Sequence, residues 1–195
     1  MRVAVFGAGI SGLTLAAALR QFARDVDVDV YERDNALDSR FQGYSLGIKG
    51  DTGILALRRL GLFEHLRPSM TPITNFVFVN QRGQRLLELA SRGEDDKYLT
   101  LRVRRNRLKE ELRAGASGVQ VTFGAECAGY EHTSDRVEVQ LRGGQTVQAN
   151  YVVAADGVGS ALRQQMIGDS KRYVGLTAIV GEAPLALKHP LLEGG

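Results

Sequence analysis

The chain has a single cysteine, Cys127, among its 195 residues. An internal disulfide is therefore excluded, and this usage suits a reducing cytoplasm. Cys127 falls in an expected strand, where a thiol serves packing. Histidine is scarce too. His65, His132 and His189 are scattered, with no metal-ligand spacing and no acidic cluster beside them, so no metal site is expected. No apolar run reaches the ~20 residues that a membrane span needs. The uncharged stretch from Val3 to Leu19 follows Arg2 and includes Ala16-Ala17-Ala18, features shared with signal peptides. It is too short to span a bilayer, and its period changes from strand to helix midway. Internal repeats and low-complexity segments are absent. Charge excess is small: net +3, with a sequence pI of about 9.2. That balance suits an anionic small molecule and gives no ground for a nucleic-acid or membrane partner. The arginines are spread out except at Arg102, Arg104, Arg105 and Arg107.

What is present is ordinary globular composition, 44% hydrophobic and 24% charged. The length allows one full core and part of a second domain. The most informative stretch comes first. Arg2 to Phe6 is a short apolar run with β-branched residues, which reads as a buried strand. Gly7-Ala8-Gly9-Ile10-Ser11-Gly12 follows at once. Leu13, Leu15, Ala16, Leu19 and Phe22 then recur at helical spacing, and Asp27 to Tyr31 reads as a second strand ending at Glu32. Strand, G-x-G-x-x-G, helix, strand and acid make the dinucleotide-binding unit. Gly7 allows the tight turn. Gly9 leaves room for a pyrophosphate against the backbone, and Gly12 lets the helix lie close on the sheet. The free N–H groups at the helix start face the phosphates. Glu32, about twenty residues on, stands where an acid accepts hydrogen bonds from a ribose. Without ligand its side chain is expected to be exposed.

Further along, Arg33 to Ile48 reads as a polar loop. Asp51 or Thr52 is a candidate cap for a helix through Ile54, Leu55, Leu57 and Leu60, ending at Gly61. Pro68 and Pro72 bracket a linker. Phe76 to Val79, a turn at Asn80 to Gly83, and Gln84 to Leu89 read as a β-hairpin. Tyr98 to Val103 is extended and Arg105 to Leu112 helical. A strand at Val119 to Phe123 precedes three short strands, Cys127 to His132, Arg136 to Leu141 and Gln145 to Asn150, joined by turn residues. Tyr151 to Ala155 is an apolar strand ending in Asp156-Gly157. Ser160 caps a helix to about Met166, and Tyr173 to Gly181 is a final strand.

Asp156-Gly157-x-x-Ser160-x-x-Arg163 sits where a strand turns into a helix. By itself it is equally a well-made turn or part of a site. Strand ends in an open α/β sheet meet at the carboxyl edge, where ligands bind. An arginine at a helix start, as at Arg105, either belongs to a solvated face or reaches an anionic cofactor.

These motifs, in this order, resemble the FAD-dependent aromatic-ring monooxygenases, the para-hydroxybenzoate hydroxylase-like group. The matching elements are Gly7 to Gly12 with Tyr31-Glu32-Arg33, Arg105-x-x-Leu108-x-x-x-Leu112, and Asp156-Gly157-x-x-Ser160-x-x-Arg163. The resemblance covers nearly the whole chain, but only the N-terminal half of the family's length. The family's later Gly-Asp motif has no counterpart here. The fold it implies is α/β: a Rossmann-like FAD-binding domain (1–72 and 98–168) with a three-stranded β-meander crossover, plus a partial antiparallel-sheet substrate domain (73–97 and 169–195). It implies that Gly7, Ala8, Gly9, Ile10, Ser11 and Gly12 bind the FAD pyrophosphate and Glu32 the adenosine ribose, with Arg33 also counted among the cofactor-binding residues. Arg105 and Arg40 would contact the FAD, and Asp156 with Gly157 both the FAD and an approaching nicotinamide nucleotide. The implied activity is hydroxylation of a small aromatic or polycyclic substrate, with NADH or NADPH as reductant. The alternative is a non-catalytic FAD-binding module that needs a partner chain. A plain NAD-binding dehydrogenase is less favoured, because a meander crossover is foreign to the simple doubly wound fold. The incomplete substrate sheet leads us to expect self-association or a complementing chain.

Overall fold

The structure is a computed structural model that describes residues 1–39, 43–90, 99–168 and 171–178. Strand β1 (Arg2–Phe6) leads into helix α1 (Ile10–Phe22), and β2 (Asp27–Glu32) returns beside β1. Next come β3 (Ser45–Lys49), a π-helical turn at Gly50–Ile54, α2 (Leu55–Arg59) and α3 (Phe63–Leu66). Strand β4 (Thr71–Pro72) precedes the hairpin of β5 (Asn75–Val79) and β6 (Arg85–Ala90). Then follow β7 (Thr100–Arg104), α4 (Arg105–Gly115), β8 (Gln120–Phe123), and the meander β9 (Cys127–His132), β10 (Val137–Leu141) and β11 (Thr146–Ala149). Strand β12 (Tyr151–Ala154) and helix α5 (Ala161–Ile167) complete the described elements.

A four-stranded parallel sheet in the order β12-β1-β2-β8 organises the molecule. From Val3 to Phe6 strand β1 is apolar and buried, because it is covered on both faces there, as inner parallel strands are. Its alternate residues go to different layers. Val3 and Val5, with Val28 and Val30 of β2, pack under Leu13, Ala16 and Ala17 of α1 and Leu108 and Leu112 of α4. Ala4 and Phe6 face the other way, with Tyr31, against Val139, Leu141 and Val147 of the meander and Leu162 of α5. Phe6 and Tyr31 stack at 5.1 Å between ring centroids. The meander therefore both connects β8, at one edge, to β12, at the other, and forms the third layer.

Several expectations are corrected. The polar stretch after Glu32 is not loop throughout: Ser45 to Lys49 form β3, antiparallel to β7. Leu46 and Ile48 face inward there, but Gly43 and Gly47 dilute the alternation, and the partner strand lies more than fifty residues away. Thr71–Pro72, read as linker, also pairs with β7. Neither Asp51 nor Thr52 caps a helix; the chain enters α2 through the π-helical turn, without a side-chain cap. Tyr173 to Ala178 form no strand, and Tyr173, Val174 and Leu176 are almost fully exposed. A strand needs a ladder partner, and none of the described strands pairs with that segment; the rest of the expected strand lies outside the described residues. The hairpin of β5 and β6 is present as expected, paired only with itself among the described strands.

Candidate FAD site

The site is built where β1, β2 and β12 end side by side. Gly7 leaves β1 with φ +108°, a conformation that favours glycine, and its N–H donates to the Tyr31 carbonyl at 2.7 Å. A Cβ on Gly7 would stand 2.3 Å from the Ala155 carbonyl oxygen, so the loop passes β12 with no room for a side chain. A Cβ on Gly12 would fall 1.9 Å from the Gly7 carbonyl oxygen. Gly12 thus lets α1 approach its own entry loop. Gly9 is different: nothing lies within 4 Å of where its Cβ would be. The three glycines divide the work, two for packing and one for open space against the backbone. Gly9 is also the N-cap of α1, which has neither a side-chain cap nor an acid in its first turn. The positive end of that helix dipole faces the opening.

Glu32 is half-buried rather than exposed, which corrects the expectation for the ligand-free chain. One carboxylate oxygen, Oε2, accepts the Ala8 N–H at 2.7 Å, and the other, Oε1, accepts the Asp34 N–H at 3.0 Å. The physical cause is local. Glu32 ends β2 beside the turn out of β1, so its carboxylate meets backbone donors of both loops. A carboxylate has about four acceptor positions. Two are used here, and the others can take ribose hydroxyls. The Ala8 N–H is spent on Glu32.

Asp156 follows the end of β12. Its Oδ1 is buried without a hydrogen-bond partner. A buried carboxylate oxygen left so costs free energy, and a ligand hydroxyl would satisfy it. Ser160 and Arg163 of the same motif are structural. The Ser160 hydroxyl accepts the Arg163 N–H at 3.0 Å and caps α5, while the Arg163 guanidinium donates to the Gly157 and Val158 carbonyls at 3.3 and 2.7 Å. The motif is therefore both a well-made turn and a site: its last two residues hold the loop, and its first presents a free acceptor.

Gly7, Gly9, Glu32, Arg33, Asp156 and Gly157 line one cleft of about 240 Å³. Sequence reasoning missed part of its wall. Ala125, Cys127 and the ion-paired Glu126 and Arg142, 2.9 Å apart, complete it from the meander. Only the contiguity of β2, β8 and β9 could have pointed there. Burial, and then the nearby Asp156 carboxylate, push the Cys127 thiol up to about 11. It stays a neutral wall near pH 7. The remaining expected residues lie elsewhere. Ser11 is exposed on α1, and Ile10 lines a separate apolar hollow with Leu46 and Ile48. Arg105 begins α4, where its N–H donates to the Tyr44 carbonyl at 3.0 Å and its side chain lies over Gly43. It does not line the cleft. Arg40 lies outside the described residues.

A glycine loop open over Gly9, an acid at the end of β2 and an unsatisfied acceptor on Asp156 fit the ribose and diphosphate of a dinucleotide. Residues 1–186 match the family described as FAD binding domain. The chain belongs to that family.

This FAD binding domain is 30% identical over 201 residues to the FAD-dependent monooxygenase thnD of Trichoderma harzianum, covering 95% of this chain and 46% of that one. Against 3-amino-4-hydroxybenzoate 2-monooxygenase of Streptomyces cremeus it is also 30% identical, over 96% of this chain and 47% of the relative. Among solved structures, Klebsiella pneumoniae HpxO complexed with FAD superposes with a TM-score of 0.67 at 26% identity, over 85% of this chain and 42% of that one. The chain spans about half the length of the relatives it matches. The Rossmann-like fold and the FAD cofactor follow from these likenesses. No helix of the described residues is long and apolar enough to cross a membrane.

Proposed function

We propose that this FAD binding domain is the flavin-holding part of an NAD(P)H-dependent monooxygenase that hydroxylates a small aromatic or polycyclic substrate. The observation that carries the reading is the convergence of the open Gly9 backbone, the Glu32 carboxylate and the unpartnered Asp156 Oδ1 in one cleft. In it, Glu32 binds the adenosine ribose, with Arg33 beside it. The loop from Gly7 to Gly12 and the start of α1 receive the pyrophosphate. Asp156 accepts from a cofactor hydroxyl, with Gly157 giving it access, and it borders the approach of the nicotinamide nucleotide. Arg105 reaches the flavin end from the start of α4, and Arg40 is assigned to the same cofactor by the family's pattern. Bound FAD supplies electron transfer from a nicotinamide nucleotide and activation of dioxygen. The side chains of this chain orient the cofactor and keep water from it, and none is assigned as acid, base or nucleophile. The single buried cysteine suits a cytoplasmic setting.

The segments 73–97 and 169–195 are assigned to a partial substrate domain, with 1–72 and 98–168 forming the FAD-binding domain. One observation favours the second reading, a module that needs a partner chain or copy to act. Every hairpin residue from Phe76 to Val79 and from Arg85 to Ala90 is exposed, including Phe76, Phe78, Leu86, Leu87 and Leu89. An isolated two-stranded hairpin is marginal in water. Flavin titration of the purified chain, with NADH and NADPH oxidation followed in the same samples, tests both readings. Stoichiometric FAD with substrate-dependent oxidation supports the enzyme, and FAD without oxidation supports the module.

A further inference from the structure

The parts of the FAD cleft stand in a fixed order. In the parallel sheet β2 lies between β1 and β8, so the end of β2 separates the glycine loop from the entry to the meander. Hydrogen bonds tie it to both sides. The Glu32 carboxylate accepts the Ala8 N–H at 2.7 Å, and the Glu32 carbonyl accepts the Ala125 N–H at 2.8 Å. The Asp34 carbonyl accepts the Gly124 N–H at 3.1 Å beside it. In an adenosine diphosphate the ribose likewise stands between the diphosphate and the base. With the diphosphate over Gly9 and the ribose on Glu32, the base falls against the wall that remains, formed by Ala125, Glu126, Cys127 and Arg142.

The chemistry of that wall selects the base. Ala125 and Cys127 are buried and offer an apolar surface. Glu126 and Arg142 stand at its exposed rim, just beyond the Cys127–Leu141 pair that ends the ladder of β9 and β10. They are joined twice. The Arg142 N–H donates to the Glu126 carbonyl at 2.9 Å, and the Arg142 Nε pairs with Glu126 Oε1 at 2.9 Å. An exposed ion pair adds little stability, but this one holds the Glu126 carboxylate at the cleft. A carboxylate has about four acceptor positions and no donor, and Arg142 Nε takes one of the four. Such a group accepts from the exocyclic amine of adenine. The carbonyl oxygen that hypoxanthine carries at the same ring position gives it nothing to accept and opposes it. We propose that Glu126 is a specificity-determining residue that selects the adenine of the cofactor through this amine, and that Arg142 is the positioning residue that holds it. This rests on the reading of the cleft as an FAD site with the ribose on Glu32.

The test is calorimetric titration of the chain with adenosine 5′-diphosphate, inosine 5′-diphosphate and FAD. The adenosine diphosphate should bind roughly tenfold or more tightly than the inosine diphosphate. Glu126→Ala should remove that preference while circular dichroism stays unchanged. The readout is the ratio of the two affinities, so any new contact of a freed Arg142 with the diphosphate, common to both ligands, cancels. Arg142→Ala should narrow the ratio, and Arg142→Lys should restore part of it. Equal binding of the two diphosphates by the parent chain would overturn the proposal, as would a preference that survives Glu126→Ala. Either result alongside stoichiometric FAD uptake leaves the flavin reading intact. A chain that prefers the adenosine diphosphate through Glu126 yet takes up no FAD would keep this proposal and remove the flavin reading instead.

Discussion

The carboxylate of Glu32 and the backbone N–H of Ala8 are joined at 2.7 Å, across the gap between the ends of β2 and β1. The acid proposed to hold the ribose is thus also the clip that shapes the glycine loop. Glu32→Ala removes this bond and the one to the Asp34 N–H. Hydrogen bonds to a charged group contribute ~1.5–3 kcal/mol each. The variant should show a lower melting temperature without ligand and FAD weakened by roughly tenfold to over a hundredfold. Glu32→Gln should recover part of the stability. Thermal melts and flavin titrations on both variants check this, and an unchanged melt for Glu32→Ala would show that the clip carries no weight.

The glycines of the loop should separate by phenotype. Gly12→Ala forces a Cβ to 1.9 Å from the Gly7 carbonyl oxygen. It should destabilise the fold by roughly 3 kcal/mol or more. A Cβ at Gly9 has no protein atom within 4 Å, so the fold of Gly9→Val should persist while FAD binding is lost. Circular dichroism and flavin absorbance distinguish the two. Normal FAD binding by Gly9→Val would mean that no ligand touches this backbone.

Cys127 gives a pH prediction. Its folded thiol sits near 11, above the ordinary 9.0, because burial disfavours the thiolate and the Asp156 carboxylate opposes it. The folded chain therefore holds this proton more tightly than the unfolded chain. The associated stability is fully present below about pH 9 and is lost as pH rises through about 11. Cys127→Ala should flatten that alkaline loss in denaturant titrations between pH 8 and 11. An identical alkaline slope in the variant would assign the loss to other groups.

The exposed hairpin should drive association. Phe76 and Phe78 are each about half exposed, beside an equally exposed Leu87 and Leu89. Contiguous apolar surface of this kind marks an interaction site. Light scattering at micromolar concentration should show particles larger than a monomer, and Phe76→Ser with Phe78→Ser should return the monomer. A monomeric parent chain would contradict this.

The parallel sheet and its glycine loop were legible because their signals are local. A strand, a turn with obligatory glycine and a helix follow one another within a single stretch, and the meander announces itself through short alternating runs and turn residues. β3 was not legible, since its pairing with β7 is non-local and its alternation is broken by glycine. The expected strand after Tyr173 failed because alternation supplies a face but no partner. In the site, Gly7, Gly9 and Glu32 could be named from spacing, whereas Asp156 could be named only together with the family resemblance. The clip from Glu32 to Ala8 could not, and neither could the wall formed by Ala125, Glu126, Cys127 and Arg142. Both depend on how strand ends meet in space.

The most direct measurement is FAD affinity of the parent chain set against Asp156→Ala, followed by quenching of flavin fluorescence. Asp156 Oδ1 is buried without a hydrogen-bond partner, and we propose that the cofactor satisfies it. The account predicts one FAD per chain, weakened roughly tenfold or more in the variant, with the apo fold unharmed or slightly stabilised. A parent chain that binds no FAD, or an Asp156→Ala chain that binds it equally well, would contradict the assignment of this cleft.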